Sequence, residues 1–133
     1  LLEQGLAVKD LPDEWNRRYQ ELLGVLPLSD AEGCLQDVHW SEGLFGYFPS
    51  YLLGHLISAQ LSEAMAEAIG SPEEHVERGD VSPLLAWLRA HVHPLGRSVN
   101  ADQLVERVSG RPLSTEAFLS YLENKLDRLQ QAS

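Results

Sequence analysis

Apolar residues along this chain recur at intervals of three and four rather than two, and leucine outnumbers valine and isoleucine together, 24 against 11. That spacing, with β-branched residues so scarce, predicts an all-α fold. Leu1 to Gly5 reads as the tail of a helix stopped by Gly5. Asp10 is placed to cap a helix over Leu11 to Leu23, with acidic Asp13 and Glu14 in its first turn and Gly24 as its stop. Trp15, Tyr19, Leu22 and Leu23 share one side of it. Val25 to Ser29 is a loop broken by Pro27, and Ser29 with Glu32 has the spacing of a capping box that would open a short helical segment. Gly33, Gly43, Gly46 and Pro49 crowd the stretch up to Ser50, which reads as a structured loop with at most a turn or two of helix.

From Ser50 to Ile69 the run is apolar around most of its circumference and then amphipathic, so this helix is expected to be the longest and most buried. Ser71, Pro72 and Glu74 form a second capping box opening a short helix that Gly79 closes. Ser82 and Pro83 repeat the device for Leu84 to Val92, and Asn100 with Gln103 caps Ala101 to Ser109, ended by Gly110. Ser114 caps a final helix with Phe118, Leu119, Leu122, Leu126 and Leu129 in one stripe. No internal repeat, linker or low-complexity tract interrupts the chain, so 1–133 reads as a single helical domain.

Composition narrows the function. Ten Lys and Arg against 20 Asp and Glu give a formal net charge of −10, which argues against a nucleic-acid partner, since phosphate backbones are met by clustered cations. No run of about 18 apolar residues reads as a membrane span, and LLEQGLAVKD lacks the basic start and apolar run of a secretory signal. The single cysteine, Cys34, cannot form an internal disulfide, which fits a reducing, cytoplasmic setting. A chain that begins at Leu1 and carries its one methionine at Met65 is expected to be a piece of a longer protein.

The five histidines do not have metal-ligand spacing: no HExxH occurs, and His91 and His93, two apart, would point to different sides of a helix. His55 reads as a hydrogen-bonded core residue, His75 as a surface one and Cys34 as a buried apolar side chain. The segment Gly33 to Tyr51, GCLQDVHWSEGLFGYFPSY, is different, because it concentrates Gln36, Asp37, His39, Trp40, Tyr47 and Tyr51 in a glycine-rich loop. Two readings stand side by side: a binding loop, or a buried aromatic turn that locks the central helix with Asp37 as a local cap.

GCLQDVHW matches the GxxQDxHW signature of the thermostable carboxypeptidase family, the carboxypeptidase Taq or M32 metallopeptidases. The resemblance continues in AVKDLPDEWN before it and in SEGLFGYFPSYLLG, GDVSPLLAWLRAHVHPLGR and GRPLSTEAFLSYLENK after it, in the order these blocks take at the C-terminal end of the family. It implies the C-terminal helical part of a two-lobed metallocarboxypeptidase, usually homodimeric, that removes C-terminal amino acids from peptides using zinc or cobalt. The family's HExxH and downstream Glu ligands belong upstream of this region, so the resemblance implies no metal ligand here. Residues 33–51 would then be a substrate-groove loop.

Within that loop the resemblance implies His39 and Tyr51 as transition-state donors and Tyr47 as a substrate contact. Gln36, Asp37 and Trp40 would orient His39 or the loop. Arg97, in HPLGR, either binds the substrate's terminal carboxylate through its guanidinium or makes a structural ion pair. The competing function is a free-standing helical interaction module with the same fold and no chemistry. An HExxH upstream in the same reading frame would separate the two.

Overall fold

A computed structural model describes residues 5–131, and among these every regular element is helical, with no strand. The predicted helix tail at Leu1 to Gly5 lies outside the described residues, apart from Gly5 itself. The chain divides into two compact units, one ending at Phe48 and the other beginning at Pro49.

In the first unit, α1 (Leu11–Leu23) has the predicted bounds. Asp10 stands at its N-cap position, yet its side chain makes no cap hydrogen bond. Pro12 in the first turn and the carboxylates of Asp13 and Glu14 favour the start instead. Gly24 ends the helix at φ 71°, a left-handed conformation in which its N–H reaches the Gln20 carbonyl at 3.0 Å. Ser29 and Glu32 do not form the expected capping box. The chain turns there through backbone bonds, Glu32 N–H to Ser29 carbonyl and Gly33 N–H to Asp30 carbonyl, at 3.1 and 3.2 Å. A side chain on Gly33 would sit 3.3 Å from both the Pro27 ring and the Ser29 carbonyl, so glycine permits this close return. The buried Cys34 then opens a 3-10 turn, Cys34–Gln36, followed by a second, Val38–Glu42.

The second unit is organised around α2 (Pro49–Ile69), the longest helix, against which α5 (Ala101–Ser109) and α6 (Glu116–Gln131) pack. Between α2 and α5 lie α3 (Pro72–Glu77) and α4 (Ser82–His91), which also contact α2. Leu56 and Met65 of α2, Trp87 of α4 and Val105 of α5 make the core. Burying a side chain of this kind contributes about 1.5–3 kcal/mol. Gln60 is also buried, at 1% exposure, and its amide closes a junction. Nε2 donates to Ser109 Oγ and to the carbonyls of Arg111 and Pro112 at 3.0, 3.3 and 3.0 Å, while Oε1 accepts the Ser114 N–H at 3.1 Å.

In the second unit, capping follows the sequence except at α4. Asn100 and Gln103 form the reciprocal box, and Ser71 accepts the Glu74 N–H. At α4 the helix begins two residues early, at Ser82, so Val81 stands at the N-cap without a side-chain cap bond, and Asp80 Oδ1 accepts the Ser82 N–H at 3.2 Å. Two histidines differ from expectation. His55 is exposed rather than in the core, its ring stacked on Phe118 at 5.9 Å. His75 is half-buried, because its Nε2 lies 3.0 Å from the Ile69 carbonyl at the end of α2. The stripe on α6 forms, but Leu119, Leu122, Leu126 and Leu129 remain substantially exposed.

Candidate functional site

In the first unit the glycine-rich loop folds around Asp37. This residue, at φ −79° and ψ 81°, breaks the two 3-10 turns apart, and its Oδ1 accepts the backbone N–H of His39 at 3.3 Å. The same oxygen lies 2.7 Å from Nδ1 of the His39 ring, and the two side chains are only 12% and 16% exposed. Asp37 is therefore both a local cap and the partner of His39; the two roles considered for it coexist because the residues are two apart. The turn closes at Gly43, φ 70°, and the Leu44 N–H returns to the His39 carbonyl at 3.0 Å, which holds the histidine backbone as well as its ring.

Aromatic rings complete the surroundings of His39. Tyr47 lies tilted at 5.3 Å between centroids, and Phe48 presents an edge-to-face contact at 5.6 Å. Trp40, the next residue, pairs instead with Trp15 of α1 edge-on at 6.2 Å and with Phe45 at 6.3 Å. With Trp15, Tyr19, Leu11 and Leu22 it lines an apolar groove of about 830 Å³ that Arg18 and Glu14 also border. The loop thus carries two faces: an imidazole–carboxylate pair capped by aromatic rings, and a tryptophan built into the α1 groove.

The remaining candidates divide between the units. Gln36 donates to the Ala31 carbonyl and so fixes the loop rather than the imidazole. Tyr51 belongs to the second unit, in the first turn of α2, with about half its surface exposed. Arg97 follows Gly96 in an exposed loop of that unit and has no acidic ion-pair partner among the described residues, so the structural ion pair considered for it is not seen there. Within the first unit the structure therefore brings Asp37, His39 and Tyr47 together. Phe48, placed by sequence with Trp40 and Phe45 on an apolar face of the groove wall, sets its ring edge-on against His39, a contact the sequence did not specify. An aromatic directly after Tyr47 in the loop was the available signal. Gln60 was missed, although a lone amide in the apolar run LISAQL marks a buried polar group that needs partners.

Among the described residues no three His, Cys, Asp or Glu side chains converge where they could hold a metal ion. What this loop offers is hydrogen-bond donors and acceptors of defined orientation. Nor is any helix of the described residues long and apolar enough to cross a membrane.

Helical architecture and this loop are those of a peptidase family, and residues 1–126 match the one described as Carboxypeptidase Taq (M32) metallopeptidase. The chain belongs to the M32 metallopeptidase family, whose members are metal-dependent. It is 42% identical over 129 residues to Carboxypeptidase 1 of Bacillus subtilis, covering 97% of this chain and 26% of that protein. To Thermostable carboxypeptidase 1 of Thermus thermophilus it is 44% identical over 125 residues, covering 94% of this chain and 24% of that one. The solved M32 carboxypeptidase of Deinococcus radiodurans superposes with a TM-score of 0.83 at 40% identity, over 93% of this chain and 25% of that one. Thus the chain spans about a quarter of the length of the relatives it matches. The described residues do not by themselves fit the metal on which the family depends.

Proposed function

We propose that this chain is the C-terminal part of a carboxypeptidase that removes C-terminal amino acids from peptides, and that it supplies one wall of the substrate groove through residues 33–51. In that reading the rest of the enzyme holds the metal, zinc or cobalt, as the family resemblance implies, and the present residues meet the substrate. Hydrolysis of a peptide bond passes through a tetrahedral intermediate whose oxygen carries negative charge, and donors about 2.7–3.1 Å from that oxygen lower the barrier. His39 and Tyr51 are the donors, Tyr47 contacts substrate, and Arg97 receives the terminal carboxylate. The exposed Arg97 guanidinium, with no acidic partner among the described residues, supports the last role. Trp40 and Gln36 hold the loop.

The observation that carries the reading is the 2.7 Å Asp37–His39 pair inside the GxxQDxHW segment. A carboxylate on one ring nitrogen sets the imidazole's orientation and proton placement, which a surface histidine would not need. A homo-oligomer in a reducing, cytoplasmic compartment belongs to the same reading, supported by the exposed Phe45 and Phe48 and by the lone, reduced Cys34.

The test is made in the full-length enzyme that carries this chain. His39→Ala and Tyr51→Phe should each lower kcat by roughly 10²-fold with the metal still bound, as expected for a lost transition-state donor. An unchanged kcat in both variants ends the proposal.

A further inference from the structure

From the geometry at Asp37 we infer that His39 offers a donor at Nε2 only as the doubly protonated imidazolium, and that its neutral form is an acceptor there. The inference rests on the reading of His39 as a transition-state donor and specifies the charge that role requires.

An ionised carboxylate only accepts hydrogen bonds, so the 2.7 Å contact from Asp37 Oδ1 to Nδ1 places a proton on Nδ1. That same oxygen already accepts the His39 backbone N–H at 3.3 Å, which confirms its acceptor character. A neutral imidazole carries a single N–H. With that hydrogen committed to Asp37, Nε2 of the neutral ring has a lone pair and nothing to donate. A second proton is needed before this nitrogen can face an oxyanion.

Within the first unit, the described contacts of the ring suit such a cation: Asp37 is a charged neighbour, Tyr47 brings a phenol ring at 5.3 Å, and Phe48 brings an aromatic edge at 5.6 Å. With Asp37 and His39 both largely buried, the carboxylate is poorly screened and an imidazolium is paired where it forms. Asp37 thereby acts as a positioning residue that converts a histidine donor into a charged one. The consequence is kinetic: the donor at Nε2 is lost when the His39 ring gives up its second proton.

Two measurements separate this inference from the reading beneath it. Long-range proton–nitrogen NMR of the 133-residue chain reads the tautomer without any activity. The neutral His39 ring should be protonated on Nδ1, and in Asp37→Ala, which removes the oxygen that accepts from both the backbone and the ring, that preference should be lost. In the full-length enzyme, kcat should fall about tenfold per pH unit on the alkaline side. His39→Gln, whose amide donates at every pH, should abolish that limb while keeping more activity than His39→Ala. A neutral wild-type ring protonated on Nε2, or an alkaline limb unchanged in His39→Gln, overturns the inference even if His39→Ala is inactive. Full activity in His39→Ala overturns the donor reading itself.

Discussion

Replacing Gln60 by leucine isolates the one buried side-chain amide among the described residues of the second unit. The side chain is 1% exposed, and leucine nearly matches its volume, so the change removes hydrogen bonds rather than packing. Of its partners, Ser109 keeps its single hydroxyl hydrogen shared between the Val105 carbonyl at 2.8 Å and the Arg111 carbonyl at 3.2 Å. The Pro112 carbonyl and the Ser114 N–H, held by Gln60 at 3.0 and 3.1 Å, lose the partner the structure gives them. Each buried group left without a partner costs about 1–3 kcal/mol, and the extra apolar surface of leucine returns about 1 kcal/mol. Gln60→Leu should therefore destabilise the chain by about 3 kcal/mol, lowering Tm by roughly 10 °C at this size. Urea titration and thermal melting followed by far-ultraviolet circular dichroism provide the measurement. Gln60→Glu sharpens it. A carboxylate there would face the oxygens that the amide now donates to, so folding should raise its affinity for a proton. Its stability is then fully present at low pH and lost as pH rises through the folded-state titration, the opposite of an ordinary paired carboxylate. A loss below about 1 kcal/mol in Gln60→Leu, or a Gln60→Glu variant insensitive to pH, would refute this account of the junction.

Asn100→Ala removes the 2.9 Å bond from the Gln103 N–H to the Asn100 side chain, while the backbone N–H that Gln103 accepts at 3.2 Å remains, and should cost about 1 kcal/mol, with faster amide exchange in the first turn of α5. Ser71→Ala should cost less, because the bond it removes, from the Glu74 N–H to the Ser71 hydroxyl, is the longer one at 3.3 Å. On α1, the hydrogen bonds from Arg17 and then Arg18 hold the Glu14 carboxyl at about 2, down from 4.5. Carboxyl-carbon NMR should find its protonation near pH 2, and Arg17→Ala should move it back toward the ordinary value. Because the folded state binds this proton more weakly, the pair's contribution is present above pH 4.5 and lost as pH falls toward about 2, an effect that added salt should weaken.

Much of the fold was legible because helices are specified locally. The Leu11–Leu23 helix, the Asn100–Gln103 box and the Gly24 and Gly110 stops depend on residues within a turn of one another, and the structure has them where the sequence placed them. The start of α4 shows the limit of that rule: Val81 stands at the N-cap with no side-chain cap bond, and Asp80, one residue further out, accepts the Ser82 N–H. Burial was less legible still. His55 and Gln60 lie on the same apolar helix, five residues apart, yet His55 is exposed and stacked on Phe118 while Gln60 is sealed beneath the junction of α5 and α6. Hydropathy along one helix cannot say which side another helix will cover, since that depends on contacts some 50 residues away. At the candidate site the residue types Asp37 and His39 were visible in the sequence. The single oxygen that binds both the backbone and the ring of His39 was not, because its consequence for the imidazole proton arises only when a tight turn brings those three atoms together.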